Sequence, residues 1–201
     1  MFYSHPLNIL VRRHRLLLTV GLVFAGASLL ITLLFPLQYR ADAQVLIISR
    51  TRTGVDPYTV VKSAERVGEN IAAVMKTDDF FAKVKDQKGY TIDWRPFTNL
   101  PERDKRKRWQ KTVQASVVYG TGVLNVGAYD ENAETARSLA GAVVDTLAAR
   151  GWEYVGGDVT IKVVNAPVST RWPVRPNLIV NVMAGLVAGM LLTSVIVMRR
   201  G

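Results

Sequence analysis

The residues best suited to chemistry in this sequence are a run of basic side chains that ends in a tryptophan. Residues 103–109 contain five cations and one acid before the indole. Clustered positive charge attracts anionic lipid headgroups or an anionic polymer, and an indole either stacks on a sugar ring or lies in a core. The alternative is a solvated helix face. We predict contact with polymer, lipid or a partner for Arg103, Lys105, Arg106, Lys107, Arg108 and Trp109.

Side chains that could act as catalysts are scarce. The two histidines, His5 and His14, lie close to the N terminus, and the chain contains no cysteine. The rest of the sequence therefore lacks a nucleophile–histidine set and a soft metal site. Asp78 and Asp79 offer half of an acid–base or metal pair, but they fit the first turn of a helix better. With no phosphate-binding loop either, we predict a protein that is not an enzyme and holds no metal and no cofactor.

Two long uncharged segments flank the region that contains these residues. Residues 16–39 and 176–198 carry no charge, and about 20 apolar residues are enough to cross a bilayer as a helix. The first segment is too long for the apolar part of a signal peptide, so we predict an uncleaved anchor. The short flanks are basic and contain no acid. Short positive flanks stay in the cytoplasm, so both termini are predicted to be cytoplasmic.

This pattern predicts five regions along the chain. They are a cytoplasmic tail (1–15), a transmembrane helix (16–38), an extracytoplasmic domain (39–175), a second transmembrane helix (176–198) and a cytoplasmic end (199–201). The predicted domain holds 21 of the 26 basic residues and all 16 acidic residues, a net charge of +5. An extracytoplasmic location argues against nucleic acid as a partner of the basic run.

Periodicity predicts the elements of the domain in the order β, α, α, β, β, α, β. Apolar residues at spacing two indicate strands, and apolar residues at spacing three or four indicate helices. Glycine and proline mark the turns. We predict an α+β fold with helices on one face of a mixed sheet and with the first and last strands close together. The strands are 39–49, 112–119, 123–129 and 159–164; the helices are 57–76, one capped by Thr77 that ends at Gly89, and one from Asp130 to Gly151.

Two further stretches are predicted to organise the membrane-bound part of the chain. Gly185 and Gly189 are four residues apart in the second apolar segment, which lets two helix backbones approach closely, either within the chain or between subunits. The stretch before that segment is rich in proline, which favours a stiff, extended connection. We predict that it couples the domain to the second helix through Pro167, Trp172, Pro173, Arg175, Pro176 and Asn177.

This proline-rich stretch resembles the approach to the second span in the polysaccharide co-polymerase family, also called chain-length determinants or Wzz-like proteins. Pro167, Pro173, Pro176 and Asn177 match its pattern, and residues 39–43 resemble the family's first strand. Residues 56–59, which lead into a helix, are also similar. The resemblance covers essentially the whole chain, but the long helical arm of many members is short or absent here, with room only at residues 90–110.

The resemblance implies a non-enzymatic regulator of surface polysaccharide, such as O-antigen, capsule or exopolysaccharide, in the bacterial plasma membrane. It implies a homo-oligomeric ring that contacts a polymerase, the growing chain and membrane lipids, and in some members a separate cytoplasmic tyrosine kinase. The sequence ends three residues after Met198, so we expect a short form without a fused kinase domain. Two other classes stay open: a structural ring component of a secretion or motility apparatus, and an accessory subunit or sensor of a transporter.

Overall fold

A computed structural model describes residues 13–49, 56–156 and 159–200. The chain divides into two compact units. The helical unit comprises Met1–Leu37 and Val174–Gly201, and the α+β unit comprises Gln38–Pro173. The boundary between Pro173 and Val174 lies inside the proline-rich stretch.

The helical unit consists of two antiparallel helices, α1 (His14–Leu33) and α8 (Leu178–Arg200). Both are long and apolar enough to cross a membrane. Helix α1 ends five residues before the predicted end of the first span, because Pro36 cannot continue a helix. Helix α8 begins two residues later than predicted. Asn177, and not Pro176, marks its start, and the Asn177 Oδ1 accepts a hydrogen bond from the Val180 N–H at 3.2 Å.

The α+β unit is mixed α and β, as predicted, but its element order differs from the prediction. Between residues 90 and 112 the structure has two helices that the predicted order lacked, although a solvated helix face was one interpretation of the basic run. A four-residue helix also follows Gly151. The elements in chain order are β1 (Tyr39–Ser49), α2 (Pro57–Val74), α3 (Asp78–Lys85), α4 (Arg95–Thr98), α5 (Glu102–Thr112), β2 (Val113–Val117), β3 (Val123–Asp130), α6 (Ala133–Arg150), α7 (Trp152–Val155) and β4 (Val159–Ser169).

The four strands form one sheet in the order β2-β3-β1-β4. Every neighbouring pair is antiparallel, so the prediction of a mixed sheet is wrong. The hairpin turn at 120–122 and the long connections before β2 and β4 let each strand reverse direction relative to its neighbour. The predicted pairing of the first and last strands is confirmed, since Ala41 of β1 is opposite Ser169 of β4.

Alternation along β1 separates a buried face of the sheet from an open one. Ala41, Ala43, Val45 and Ile47 are buried and pack with the apolar faces of α2 and α6. The intervening side chains of β1 are exposed or half-exposed. The helices therefore cover one face, as predicted, while a polar face stays open. The open-face residues of β3, β1 and β4 include Arg40, Asp42, Gln44, Asn125, Tyr129, Lys162 and Asn165.

Several predicted boundaries shift by a few residues in the structure, and two of these shifts have a clear cause. Helix α6 is capped by Asn132, whose Oδ1 accepts hydrogen bonds from the Glu134 and Thr135 N–H groups at 2.8 and 3.3 Å. Asp130, the predicted cap, accepts instead from the Asn132 N–H at 2.9 Å, which orders the turn before the helix. Strand β4 continues to Ser169, five residues beyond its predicted end, because its pairing with β1 resumes after two irregularities.

Candidate functional site

Helix α5 carries the basic run, and its inner side is fixed by Trp109. The indole is 1% exposed, and its Nε1–H donates to the Met75 carbonyl oxygen at 2.7 Å. The rings of Phe81 and Phe97 lie with their centroids 5.0 and 6.2 Å from it. Trp109 is therefore a core residue, and the prediction that it contacts polymer, lipid or a partner is wrong. Its large apolar surface is the only such surface on α5, so packing uses it to attach the helix.

Two of the predicted contact cations are held by neighbours within the α+β unit. The Arg106 guanidinium forms an ion pair with Asp78, with Nε 3.0 Å from Oδ2. This hydrogen bond lowers the pKa of the Asp78 carboxyl. Lys105 is only 21% exposed in its side chain, contacts Glu102 at 2.7 Å and lies over the Phe81 ring. Arg106 thereby joins α5 to α3, whereas the Lys105 ion pair lies within α5, so each of these two cations already has a carboxylate partner.

The remaining cations of the run form an exposed surface, here called the basic face: Arg103, Lys107 and Arg108. Arg103 and Lys107 are exposed and form no ion pair within the part of the chain that the structure describes. Arg108 lies with its guanidinium carbon 5.7 Å from the centre of the Phe97 ring, which orders it without neutralising it. Of the six residues predicted to make contacts, these three are the exposed cations with no ion pair among the described residues, and contact with polymer, lipid or a partner stays a prediction.

The paired acids at the start of α3 lie in the first turn of the helix, and both have partners within the α+β unit. Thr77 caps the helix by accepting from the Phe80 N–H, and Asp78 and Asp79 lie in its first turn, as predicted. Tyr154 donates its hydroxyl hydrogen to the Asp79 Oδ2 at 2.5 Å, which is the main cause of the lowered pKa of Asp79. Lys83 adds an ion pair to the same carboxylate at 3.1 Å.

The residues predicted to couple the domain to the second helix are divided between the two units. Pro167 lies within β4, and Trp172 and Pro173 follow that strand. Trp172 is 80% exposed. Arg175, Pro176 and Asn177 belong to the helical unit, where Asn177 caps α8. The boundary of the two units therefore falls within the predicted segment, while the coupling role itself stays a prediction.

Gly185 and Gly189 lie at the contact between α1 and α8. A Cβ atom at Gly185 would meet the Ser28 Cβ at 2.7 Å, and one at Gly189 would meet the Phe24 Cβ at 2.8 Å. The two glycines therefore lie where the backbones of α1 and α8 approach closely, and their role in packing stays a prediction. A Cβ atom at Gly26, by contrast, would meet nothing within 4 Å among the described residues, and so Gly26 takes no part in that contact.

A polar cluster between the two helices was missed by the sequence analysis. The Ser28 hydroxyl donates to the Asn181 carbonyl oxygen at 2.8 Å, and the Asn181 Nδ2 donates to the Thr32 Oγ1 at 3.2 Å. Thr32 is buried. A single asparagine one turn into an apolar segment was the available signal, since a polar group there needs an interhelical partner.

A second missed feature is a groove of about 620 Å³ on the open face of the sheet. Three amide side chains cross its floor in one row. The Gln44 Nε2 donates to the Asn125 Oδ1 at 2.7 Å, and the Asn165 Nδ2 donates to the Gln44 Oε1 at 2.5 Å. We call this row the amide ladder. It runs across β3, β1 and β4, and the signal in the sequence was the alternation of polar residues in the first half of β1, at Arg40, Asp42 and Gln44.

An ion pair between two residues of β1 borders the amide ladder. Arg40 contacts the Asp42 Oδ1 through Nε at 2.7 Å and through a terminal nitrogen at 2.6 Å. Its guanidinium carbon lies 5.6 Å from the centre of the Tyr129 ring. Gly127 makes this arrangement possible, because a Cβ there would lie 3.2 Å from the Arg40 Nε. The cation is therefore paired with a carboxylate of its own strand and lies close to β3.

The groove owes its shape to two irregularities in the pairing of β4 with β1. Val163 is opposite Val45, but the next partner, that of Gln44, is Asn165. One residue, Val164, is therefore inserted, and a second insertion follows before Val168, which is opposite Asp42. The first insertion places Asn165 opposite Gln44 on the open face, where a regular register would have placed Val164. Pro167 fits this edge position, since it has no N–H to donate.

The described residues contain no cluster of three or more side chains that could hold a metal ion. What the arrangement offers is binding chemistry: an exposed cationic surface on α5 and a neutral, polar groove on the sheet. No protein-family model matches the chain, and no curated protein matches it.

Proposed function

We propose that this protein is a membrane-embedded, non-enzymatic regulator of surface polysaccharide chain length or export that acts as an oligomer. The observation that carries the proposal is the arrangement of the chain. An α+β unit, whose first and last strands are neighbours, is enclosed in sequence between two helices that are each apolar and long enough to cross a membrane. The proline-rich stretch that resembles polysaccharide co-polymerases lies where the second of these helices begins.

The hydrogen bonds at the ends of the α+β unit support an attachment to the membrane through both ends. The Thr170 N–H donates to the Arg40 carbonyl oxygen at 2.8 Å, and the Arg40 N–H donates to the Thr170 Oγ1 at 3.2 Å. The chain therefore enters and leaves this unit at the same place. Such a unit suits a helical hairpin as its anchor, because both connections to the membrane are short.

The proposed topology places both termini in the cytoplasm and the α+β unit outside the bacterial plasma membrane. It rests on the basic flanks Arg12, Arg13 and Arg15 at one end and Arg199 and Arg200 at the other. The basic face of α5 would then meet an anionic polymer, lipid headgroups or a polymerase. Its attraction for these partners is electrostatic and therefore weakens with added salt.

The proposal is tested by gel electrophoresis of surface and secreted polysaccharide from cells with and without the gene. We expect loss of the chain to shift the length distribution or the amount of polymer, and expression from a plasmid to restore it. A polymer profile that is unchanged by the deletion would overturn the proposal for that polymer. It would favour a structural ring component of a secretion or motility apparatus instead.

A further inference from the structure

We infer that the groove on the open face of the sheet is a binding site for a neutral, polyhydroxylated ligand, namely a segment of glycan chain. The inference extends the proposed function, since it assigns the contact with the polymer's neutral sugar units to the groove and not to the basic face. It rests on three features of the groove: its hydrogen-bonding groups, its charge and the way the backbone builds it.

The hydrogen-bonding groups of the amide ladder are directional. Each amide has two N–H donors and one carbonyl acceptor, and the ladder uses one donor of Gln44 and one of Asn165. In the described part of the chain, Asn125 keeps both Nδ2 hydrogens at the β3 end, and Asn165 keeps its Oδ1 at the β4 end. One edge of the row therefore donates and the other accepts. A sugar hydroxyl does both, so adjacent hydroxyls can bridge such a row.

The charge of the groove does not favour anionic ligands. Arg40 is the only cation among its lining residues, and that cation is paired with Asp42 at 2.6 Å and lies over Tyr129. An anion would have to compete with a carboxylate that already holds the guanidinium. Ala166 and Val168 are the apolar residues of the groove whose side chains are not buried on the opposite face of the sheet, which is too little for a protein partner that buries a hydrophobic core.

The backbone is arranged to hold Asn165 in the row. Two inserted residues within the five positions from Val164 to Val168 interrupt the pairing with β1, and each interruption sacrifices ladder hydrogen bonds. Bulges of this kind re-aim side chains and are common beside functional sites. Here the result is that an amide, not the adjacent valine, lies opposite Gln44. The groove is thus formed by the same irregularity that completes its hydrogen-bonding edge.

The test is isothermal titration calorimetry on the full chain in a detergent without a sugar headgroup. Maltohexaose, cellohexaose and chitohexaose serve as neutral probes, hexagalacturonate as the anionic probe and a hexameric Gly-Ser peptide as the backbone-amide probe. We expect saturable binding of at least one neutral oligosaccharide and weaker binding of the other two classes. Absence of binding by every neutral probe, or preference for the anionic or peptide probe, would overturn the inference.

Variants then assign the binding to the groove. Gln44→Ala removes the centre of the row, and Asn165→Ala removes its β4 end. We expect each to raise the Kd about tenfold, since each leaves a hydrogen-bonding partner unmatched. The matched control is Asn70→Ala, which removes an exposed amide from α2 and should leave the Kd unchanged. If Gln44→Ala lowers the melting temperature, the decision rests on Asn165→Ala, which changes an exposed residue of an edge strand. An unchanged Kd in Asn165→Ala would then overturn the inference.

Failure of this inference is distinguishable from failure of the proposed function. If deletion of the gene changes the polymer profile but no oligosaccharide binds, the groove assignment falls and the regulatory function stands. If oligosaccharides bind through Gln44 and Asn165 but deletion leaves every polymer unchanged, the groove stands and the regulatory function falls.

Discussion

The Trp109 indole donates its N–H to the Met75 carbonyl oxygen at 2.7 Å, in a place where both residues are almost completely buried. This bond joins α5 to the end of α2. It attaches a helix made mostly of charged residues to the core. The basic face is oriented outwards because Trp109 holds the opposite side of the helix inwards.

Trp109→Ala should therefore destabilise the α+β unit by about 3–5 kcal/mol, as deletion of a large buried aromatic side chain usually does. Trp109→Phe keeps most of the apolar surface but leaves the Met75 carbonyl without its donor. We expect it to lower the free energy of unfolding by about 1–3 kcal/mol. Urea unfolding of the full chain in detergent, followed by circular dichroism, measures both. Trp172→Phe is the control, since Trp172 is 80% exposed. Equal effects at Trp109 and Trp172 would contradict the packing described here.

Replacing Gly185 should separate the two apolar helices. In Gly185→Leu the new side chain would collide with Ser28 and the Phe24 carbonyl, whereas Gly26→Leu has free space. Because the chain has no cysteine, the pair Ser28→Cys and Asn181→Cys can report their contact by oxidative cross-linking. We expect a high cross-linking yield in the double-cysteine protein and after adding Gly26→Leu to it, and a several-fold lower yield after adding Gly185→Leu. A yield that drops equally in both glycine variants would refute this assignment.

Asp130→Asn should stabilise the protein at neutral pH. Burial raises the pKa of the Asp130 carboxyl above its ordinary value of 3.8, so the folded state binds its proton more tightly than the unfolded state. At pH values above the pKa of Asp130 in the folded state, its negative charge lowers the free energy of unfolding. This destabilisation disappears as the pH falls below 3.8, where the carboxyl is protonated in both states. The asparagine keeps the acceptor for the Asn132 N–H.

Thermal melting of wild type and Asp130→Asn at several pH values measures this difference. We expect the variant to melt at a higher temperature at neutral pH and the two curves to converge at pH values below the ordinary pKa of an aspartate. The exposed acid Asp86, replaced by asparagine, is the control. A lower melting temperature for Asp130→Asn at neutral pH would show that its charge is favourable in the fold.

Reversing the charge of the basic face should change polymer length without affecting folding. Arg103→Glu with Lys107→Glu removes two exposed cations that form no ion pair in the described residues, so we expect normal expression and an altered length distribution on gels. Arg66→Glu with Lys88→Glu reverses two exposed cations elsewhere and should have no such effect. If both double variants behave as wild type does, the basic face has no role in length control.

Most of the core could be predicted from the sequence, because it follows two simple periods. Strand β1 was recognisable by alternation, and α2 and α3 by apolar spacing together with the caps Asp56 and Thr77. Helix α5 could not be recognised in this way. Trp109 is its only buried residue, so it has no apolar stripe, and its helical structure follows from the propensity of its long charged side chains and from the contact of its tryptophan.

The site was harder to predict than the fold, for a geometric reason. A run of charges is visible in a sequence, but its ion pairs are not: Asp78 lies 28 positions before Arg106. The amide ladder joins residues separated by 81 and 121 positions. It also depends on an inserted residue in β4, which no periodic pattern reports. Without that insertion, Val164 and not Asn165 would lie opposite Gln44.

Because β1 pairs with β3 and β4, the order in which the chain is synthesised limits when the sheet can form. Strand β1 is the first strand to leave the ribosome, yet it is a central strand, and its closing contact joins Arg40 to Thr170 across 130 residues. The helix contact from Ser28 to Asn181 spans 153. Neither can form on a growing chain until most of the sequence has been made. Contacts of such long range slow folding, so β1 remains without its two strand partners until β3 and then β4 have been made, in whatever environment receives the nascent chain.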